Sequence, residues 1–427
     1  MTSRSVPSRS PAFSYPTLLR RASILLLLNI AISAQAASPE RGWPAFRGPS
    51  HNGSSPERNL NAQWAEKGPE VLWKMPVGAG FSEIVIAGDA FYTLFSAPEE
   101  GSDKKSEFVG AFAVKNGKEL WRVRLGEEFV NQFGNGPRAT PFISGDRIVA
   151  VGSYGNLFSL DRATGKVHWS VDLQEKFGTT TPRFGVCVSP IMTEKAVLME
   201  LSGVKDKGYV AFDRETGSVL WQKYSSGNGY MSPILAPFAG NPQWVLLTGG
   251  KLTGLHLDGT QAWDAEWVPN SIAHPLFVPP DKLFVSAAGD VGAAMFQIDA
   301  KADPIAPREL WRSRSMKNHF SSSVTQDGHI YGFDNATLKC ISTESGEQKW
   351  AKRGFGKGTL ILADDCLWVL SDRGKLTTVA ATPEAYREHA AYQALKGKCW
   401  TAPSLAEGKL YLRNHEEMIC LGIGSKP

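Results

Sequence analysis

The residues whose types could do chemistry are Phe81, Arg138, Arg183, Tyr230, His274, His319, Phe320, Lys357 and Trp400. Arginine and lysine hold carboxylate or phosphate oxygens through charge-assisted hydrogen bonds. Aromatic faces stack on planar or sugar-like rings. The spacing ties these residues together. Phe81, Arg138, Cys187, Tyr230, Ile272, Phe320, Lys357 and Trp400 each stand three residues before the opening of an apolar strand, which is marked in several cases by a small residue and proline, as in Thr140-Pro141 and Ala402-Pro403. Arg183, His274 and His319 lie on the same loops. One slot filled by unlike side chains reads as a recognition site for an anionic or sugar-like ligand, and the competing reading is simple packing at the mouth of a channel.

Catalysis finds less support. His274 and His319 have no nearby carboxylate, which makes a poor metal site, and no metal ligand is assigned. Ser321, Ser322 and Ser323 follow His319, but adjacency in a loop does not make a nucleophile–base pair. The glycine-rich Gly227-Asn228-Gly229 and Gly354-Phe355-Gly356-Lys357-Gly358 lack the spacing of a phosphate-binding loop and open no helix. The cysteines Cys187, Cys340, Cys366, Cys399 and Cys420 form no C-x-x-C and no adjacent pair, and the strand contexts of Cys340 and Cys420 read as buried free thiols. No catalytic residue is assigned.

The elements that must position these loops repeat along the chain. Leu160-Asp161-Arg162-Ala163-Thr164-Gly165-Lys166-Val167-His168-Trp169 returns as Phe212-Asp213-Arg214-Glu215-Thr216-Gly217-Ser218-Val219-Leu220-Trp221, with weaker copies ending at Trp121, Trp263 and Trp350. The markers Trp73, Trp121, Trp169, Trp221, Trp263, Trp311 and Trp350 are spaced 39–52 residues apart, the length of a four-stranded propeller blade. Each unit reads strand A, turn, strand B, turn, strand C, Asp-x-x-Thr-Gly turn, and strand D with its tryptophan. The aspartate bonds turn donors and the glycine takes the left-handed position. The tryptophan is placed between splayed blades. The predicted fold is all-β: a single eight-bladed β-propeller of four-stranded antiparallel blades. An orphan D strand at Val71–Met75 and an orphan A–B–C set ending near Leu421 predict closure by pairing of the N- and C-terminal strands. In the seventh unit Thr382-Pro383-Glu384 replaces the usual turn and predicts a short helix.

Residues 1–36 read as a secretory signal peptide: Arg20-Arg21, an apolar run from Ile24 to Ile32, and Ala34-Gln35-Ala36 ahead of the cleavage point. Residues 37–69 read as an N-terminal extension packed on the propeller, and residues 70–427 as the propeller itself. The formal charge of +4 belongs to the leader, whose Arg4, Arg9, Arg20 and Arg21 face no acid, so the mature chain is neutral. No basic patch then remains to argue for nucleic acid, which needs clustered phosphate-neutralising charge. No membrane span remains after cleavage, and no cysteine near the cleavage point supports a lipoprotein. The expected location is periplasmic or secreted.

The Asp-x-x-Thr-Gly-x-x-x-Trp phrase resembles the pyrroloquinoline-quinone-like (PQQ-like) β-propeller repeat, and Trp43-Pro44-Ala45-Phe46-Arg47-Gly48-Pro49 resembles the opening of exported planctomycete-type propellers of this group. The group is related to the quinoprotein alcohol dehydrogenase-like superfamily. That resemblance implies two roles: a noncatalytic binding or scaffold module for a protein or small ligand in the cell envelope, or a PQQ-dependent oxidoreductase acting on alcohols or sugars. The dehydrogenases hold their quinone between a tryptophan and a disulfide of adjacent cysteines, with calcium beside it. The adjacent cysteines are missing here. The expectation is therefore a noncatalytic module with no cofactor, with PQQ and calcium as the disfavoured alternative.

Overall fold

The computed structural model describes residues 42–227 and 229–424, so the proposed leader lies outside the described residues. The chain forms eight antiparallel sheets, each of four strands except the first, which has a fifth. Blade 1 comprises Val85–Ala87, Ala90–Pro98, Lys105–Ala113 and Glu119–Glu127, and Gly42–Trp43 adds to its inner edge through pairing with Ile86 and Ala87. Blades 2 to 7 follow in chain order. Blade 8 takes Ser404–Ala406, Lys409–Arg413 and Glu417–Gly422 from the C-terminal end and Glu70–Pro76 from the N-terminal end. The closing register pairs Trp73 with Cys420 and Met75 with Met418, so the ring closes as expected and has no open blade-to-blade seam.

The tryptophan phrase works through two local devices. The first is a β-bulge just before the tryptophan, seen between Val167 and Trp169, opposite Val219 and Trp221, and between Val71 and Trp73. The extra residue re-aims the side chain and twists the outer strand. The second is docking onto the next blade. Trp121 Nε1 donates to Arg162 O at 3.2 Å, Trp169 Nε1 to Arg214 O at 2.9 Å, and Trp311 Nε1 to Thr343 O at 2.8 Å. Each ring lies over the glycine of that neighbouring turn. A Cβ built on Gly165 would sit 2.8 Å from Trp121, and one on Gly217 would sit 2.7 Å from Trp169. Glycine is required there both for its positive φ and for the space it leaves.

The helix expected at Thr382 does not form: residues 381–387 are irregular. Seven residues between two strands are too few to offset helix nucleation. The segment instead receives the blade 6 tryptophan, since Trp350 Nε1 donates to Thr382 O at 2.7 Å and Tyr386 packs edge-on against Trp350. A short helix that the sequence did not signal spans Leu173–Phe177, with Asp172 capping Gln174 N and Glu175 N and Gly178 closing its other end.

The N-terminal segment fills the axis. It enters beside Ala87, near the A–B turn of blade 1, and Ile143 N donates to Pro44 O. It turns back at the other face through Arg47 and Gly48, both at positive φ, with Gly53 N donating to Arg47 O. It then descends along blade 7, where Leu362 N donates to Gly53 O and Ser55 N to Leu362 O. Glu57 accepts Glu407 N and Gly408 N at the A–B turn of blade 8. Trp43 at the centre is fully buried. At the tip, Glu83 accepts Arg47 N at 2.9 Å, and Arg47 Nη2 donates to Asn52 O and, closely, to Ser323 O. The propeller therefore has no open bore.

Candidate functional site

The face carrying the D–A loops is closed below by this plug, whose tip is Phe46 and Arg47. Three of the expected residues meet directly above the tip. Phe81 stacks on Trp400 with ring centroids 5.8 Å apart, and Phe320 lies against the other side of Trp400 at 5.3 Å. These rings come from blades 1, 8 and 6. Cations cover them: Lys398 Nζ lies 4.5 Å from the Trp400 ring centre and the Arg138 guanidinium 5.0 Å from that of Phe81. Such contacts contribute about 0.5–1 kcal/mol when exposed and more when desolvated. The hollow between this cluster and Phe46–Arg47 measures about 50 Å³.

Arg138 and Arg183 do not converge as one anion clamp. Arg138 spends its donors on its own loop, Nη1 to Gly136 O and Nη2 to Gly134 O, both at 2.8 Å. Arg183 is exposed and lies over Phe184, which in turn packs against Tyr230 at 5.5 Å, forming a second aromatic group on the loops entering blades 3 and 4. His274 is withdrawn from the face. Its ring packs edge-on against Phe46 at 4.6 Å, its Nδ1 lies 2.9 Å from Ser232 O, and burial lowers its pKa to about 3. It is a neutral histidine beneath the plug. His319 and Lys357 sit to one side and line a separate cleft with Lys317 and Asn335.

Several residues at this face carried no signal in the sequence. His415 meets Phe81 edge-on at 4.3 Å, and burial first, then the charges of Arg413, Lys398 and Arg138, lowers its pKa to about 4. It lies on a B–C turn, which has no repeated motif. Arg413 is fully buried and anchors the loop bearing Phe81, donating to Thr93 Oγ1 and Leu94 O at 2.8 Å and to Gly78 O at 3.1 Å. Glu83, also buried, accepts from the tip of the plug, and desolvation raises its pKa to about 7 against the opposing pull of Arg47. Glu107 ties blade 1 to blade 2 by accepting Ser153 N at 2.7 Å and Ser153 Oγ at 2.6 Å. These charges hold loops in place.

The serines beside His319 are structural. Ser322 Oγ accepts His274 N at 3.0 Å, and Ser323 Oγ donates to Asn318 Oδ1 at 3.0 Å. All five cysteines are unpaired, and Cys340 and Cys420 are buried as expected. Among the described residues no group of three or more His, Cys, Asp or Glu converges in a way that could hold a metal ion. No helix among them is long and apolar enough to cross a membrane.

Residues 105–276 match the family model described as outer membrane protein assembly factor BamB. No curated protein matches the chain. Among solved structures, BamB from Moraxella catarrhalis superposes with a TM-score of 0.59 at 12% identity, covering 83% of this chain and 100% of its own. The quinohemoprotein alcohol dehydrogenase from Comamonas testosteroni gives a TM-score of 0.63 at 12% identity, covering 92% of this chain and 82% of its own. The computationally designed Ika8 protein gives 0.58 at 12% identity, with 83% and 100% covered. At these identities the likeness is one of fold. Repeated tryptophan phrases docking onto successive glycine turns and eight closed blades make the chain an eight-bladed β-propeller, similar over residues 105–276 to the PQQ-like repeats of the matching family model.

Proposed function

We propose that this protein is an exported, noncatalytic binding module of the cell envelope, and that the D–A loop face is its recognition surface for a protein partner. The observation that carries this reading is the Phe81–Trp400–Phe320 cluster. Three rings from three blades meet there under Lys398 and Arg138, at positions where the repeat itself demands no particular residue. Aromatic residues ringed by cations are what binding hot spots are made of. The hollow beneath them, about 50 Å³, is far below the ~300 Å³ at which small-molecule pockets begin. A shallow aromatic surface suits a macromolecular partner better than an engulfed ligand.

The alternative reading is a quinone-dependent oxidoreductase. The residues present do not fit that group. Phe46 and Arg47 occupy the axial space under Trp400, the cysteines are dispersed, and among the described residues no carboxylate cluster converges that could hold calcium. The dehydrogenase likeness is therefore carried by the blades alone.

The test is site-specific photo-crosslinking in the native envelope. A crosslinker at position 133 or 184, beside the aromatic cluster, should capture a discrete partner, and Trp400→Ala should reduce that capture. The same probe at position 163 or 215, on the C–D turns of the opposite face, should not. Equal capture from both faces would refute the reading, as would dye-linked alcohol oxidation by protein supplied with PQQ and calcium.

A further inference from the structure

We propose that the cleft between blades 5, 6 and 7, beside the axial cluster on the same face, is a binding site for a small hydrophilic anion bearing a carboxylate or phosphate. The cleft measures about 440 Å³ and is lined by Gly289, Asp290, Lys317, His319, Asn335 and Lys357. That is within the range of small-molecule sites, ~300–1,000 Å³, whereas the axial hollow is not. The inference does not depend on partner binding through Trp400.

The charge balance indicates the kind of ligand. Two ammonium groups and an imidazole, from the loops entering blades 6 and 7, face one space. Lys357 Nζ has no hydrogen-bond or ion-pair partner among the described residues; only its backbone N is engaged, with Asp372 Oδ2 at 3.3 Å. Lys317 has a weak partner, since its Nζ stands 4.0 Å from Asp334 Oδ1 while Lys339 takes the other oxygen of the same carboxylate at 2.5 Å. Asp290, exposed at the rim, is the one acid lining the cleft. Half-buried cations with this little counter-charge repel one another, and a bound oxyanion relieves that cost by accepting charge-assisted hydrogen bonds.

The third group is suited to the same ligand. His319 is half-buried, and its Nδ1 is shielded from solvent without a hydrogen-bond partner. Burial first, and then the charge of Lys357, lowers its proton affinity, so the ring is neutral at pH 7 and offers one N–H donor. The loops are held for the purpose: Asn335, at φ 53°, donates its backbone N to Lys317 O at 3.1 Å. Gly289, also in the lining, is exposed, and an added Cβ there would meet nothing within 4 Å. The propeller does not need Lys357 for folding. The equivalent slot holds phenylalanine, arginine, cysteine, tyrosine, isoleucine or tryptophan in other blades.

The experiment is calorimetric titration of the full mature protein with inorganic phosphate and, separately, with malonate, which distinguishes the two sources of oxyanion. One-to-one saturable binding of at least one of them is expected. Lys357→Gln and Lys317→Gln should each weaken it at least about tenfold, the loss of one charge-assisted contact, with melting temperatures unchanged. Trp400→Ala should leave it within about twofold, which separates this site from the partner surface. Absence of saturation with both anions up to about 20 mM would overturn the proposal. So would binding by both lysine variants with the affinity of the parent.

Discussion

Replacing Trp169 by alanine tests the docking of one blade onto the next. Trp169 is 8% exposed, its ring lies over Gly217, and its Nε1 donates to Arg214 O at 2.9 Å. A buried tryptophan removes roughly 200 Å² from water, and at about 25 cal/mol per Å² this amounts to about 5 kcal/mol. Arg214 is only partly buried, so its carbonyl should regain a water in the variant and the lost hydrogen bond should add only about 0.5–1 kcal/mol. Because the unfolded chain already shields part of its apolar surface, the net destabilisation expected is about 3–5 kcal/mol. The sharper test is a double-mutant cycle with Gly217→Ala. The added methyl would lie 2.7 Å from the Trp169 ring at a φ of 70°, so that variant carries both a clash and backbone strain. In the Trp169→Ala background the clash disappears and only the strain remains, about 1 kcal/mol. The two changes should therefore couple by more than about 1 kcal/mol in urea denaturation. Additivity within about 0.5 kcal/mol would show that the tryptophan does not rest on that turn.

Deleting residues 70–76 removes the strand that closes blade 8 together with Trp73, and should cost several kcal/mol; an unchanged melting temperature would sink the closure argument. Trp400→Ala should destabilise far less than Trp169→Ala, about 1–2 kcal/mol, because Trp400 is only partly buried at the loop face; equal and large losses in both would make Trp400 a core residue. Glu83 takes up its proton more readily in the fold than in the unfolded chain, its pKa moving from 4.5 to about 7 through burial. Its contribution to stability is therefore full below about pH 4.5 and is lost as pH rises to about 7. Glu83→Gln should gain stability relative to the parent across that window, and parallel pH–stability curves for the two proteins would refute the assignment.

The blades were legible because one phrase is written repeatedly: Asp161, Thr164, Gly165 and Trp169 have equivalents at Asp213, Thr216, Gly217 and Trp221, and each copy meets the same neighbours. The paired ends were legible for the same reason, as an incomplete copy at each terminus. The plug was not. Trp43, Phe46 and Arg47 occur once, and their partners Glu83, His274 and Ser323 are scattered over three blades with no shared spacing. That is also why His274 was read as a face residue: its loop position is right, but Phe46 covers it. Alignment of loop slots brought Phe81, Phe320 and Trp400 to one face, where their rings are in contact. It grouped Lys357 with them, and His319 was added from the loop of Phe320, whereas these two line a neighbouring cleft with Lys317. The turn at Thr382 was misread because its helix-start residues serve instead as the seat for Trp350.

The pairing of Glu70 with Gly422 also sets an order of events for the growing polypeptide. The strand Glu70–Pro76 emerges before the other blade strands and its partner Glu417–Gly422 after them, so the ring stays unlatched until all the other blade strands have been made. Contacts this distant in sequence form slowly. During that interval the waiting strand presents an unpaired edge, and the axial segment just before it, which docks on blades from the first to the eighth, has only part of its socket. A C-terminal truncation of even the last strand would thus leave both the latch and the socket incomplete, and damage at residue 417 would be felt at residue 43. The two ends of the chain form one cooperative unit, and an unclosed ring with that edge exposed is the form most exposed to proteolysis and to mispairing with another copy.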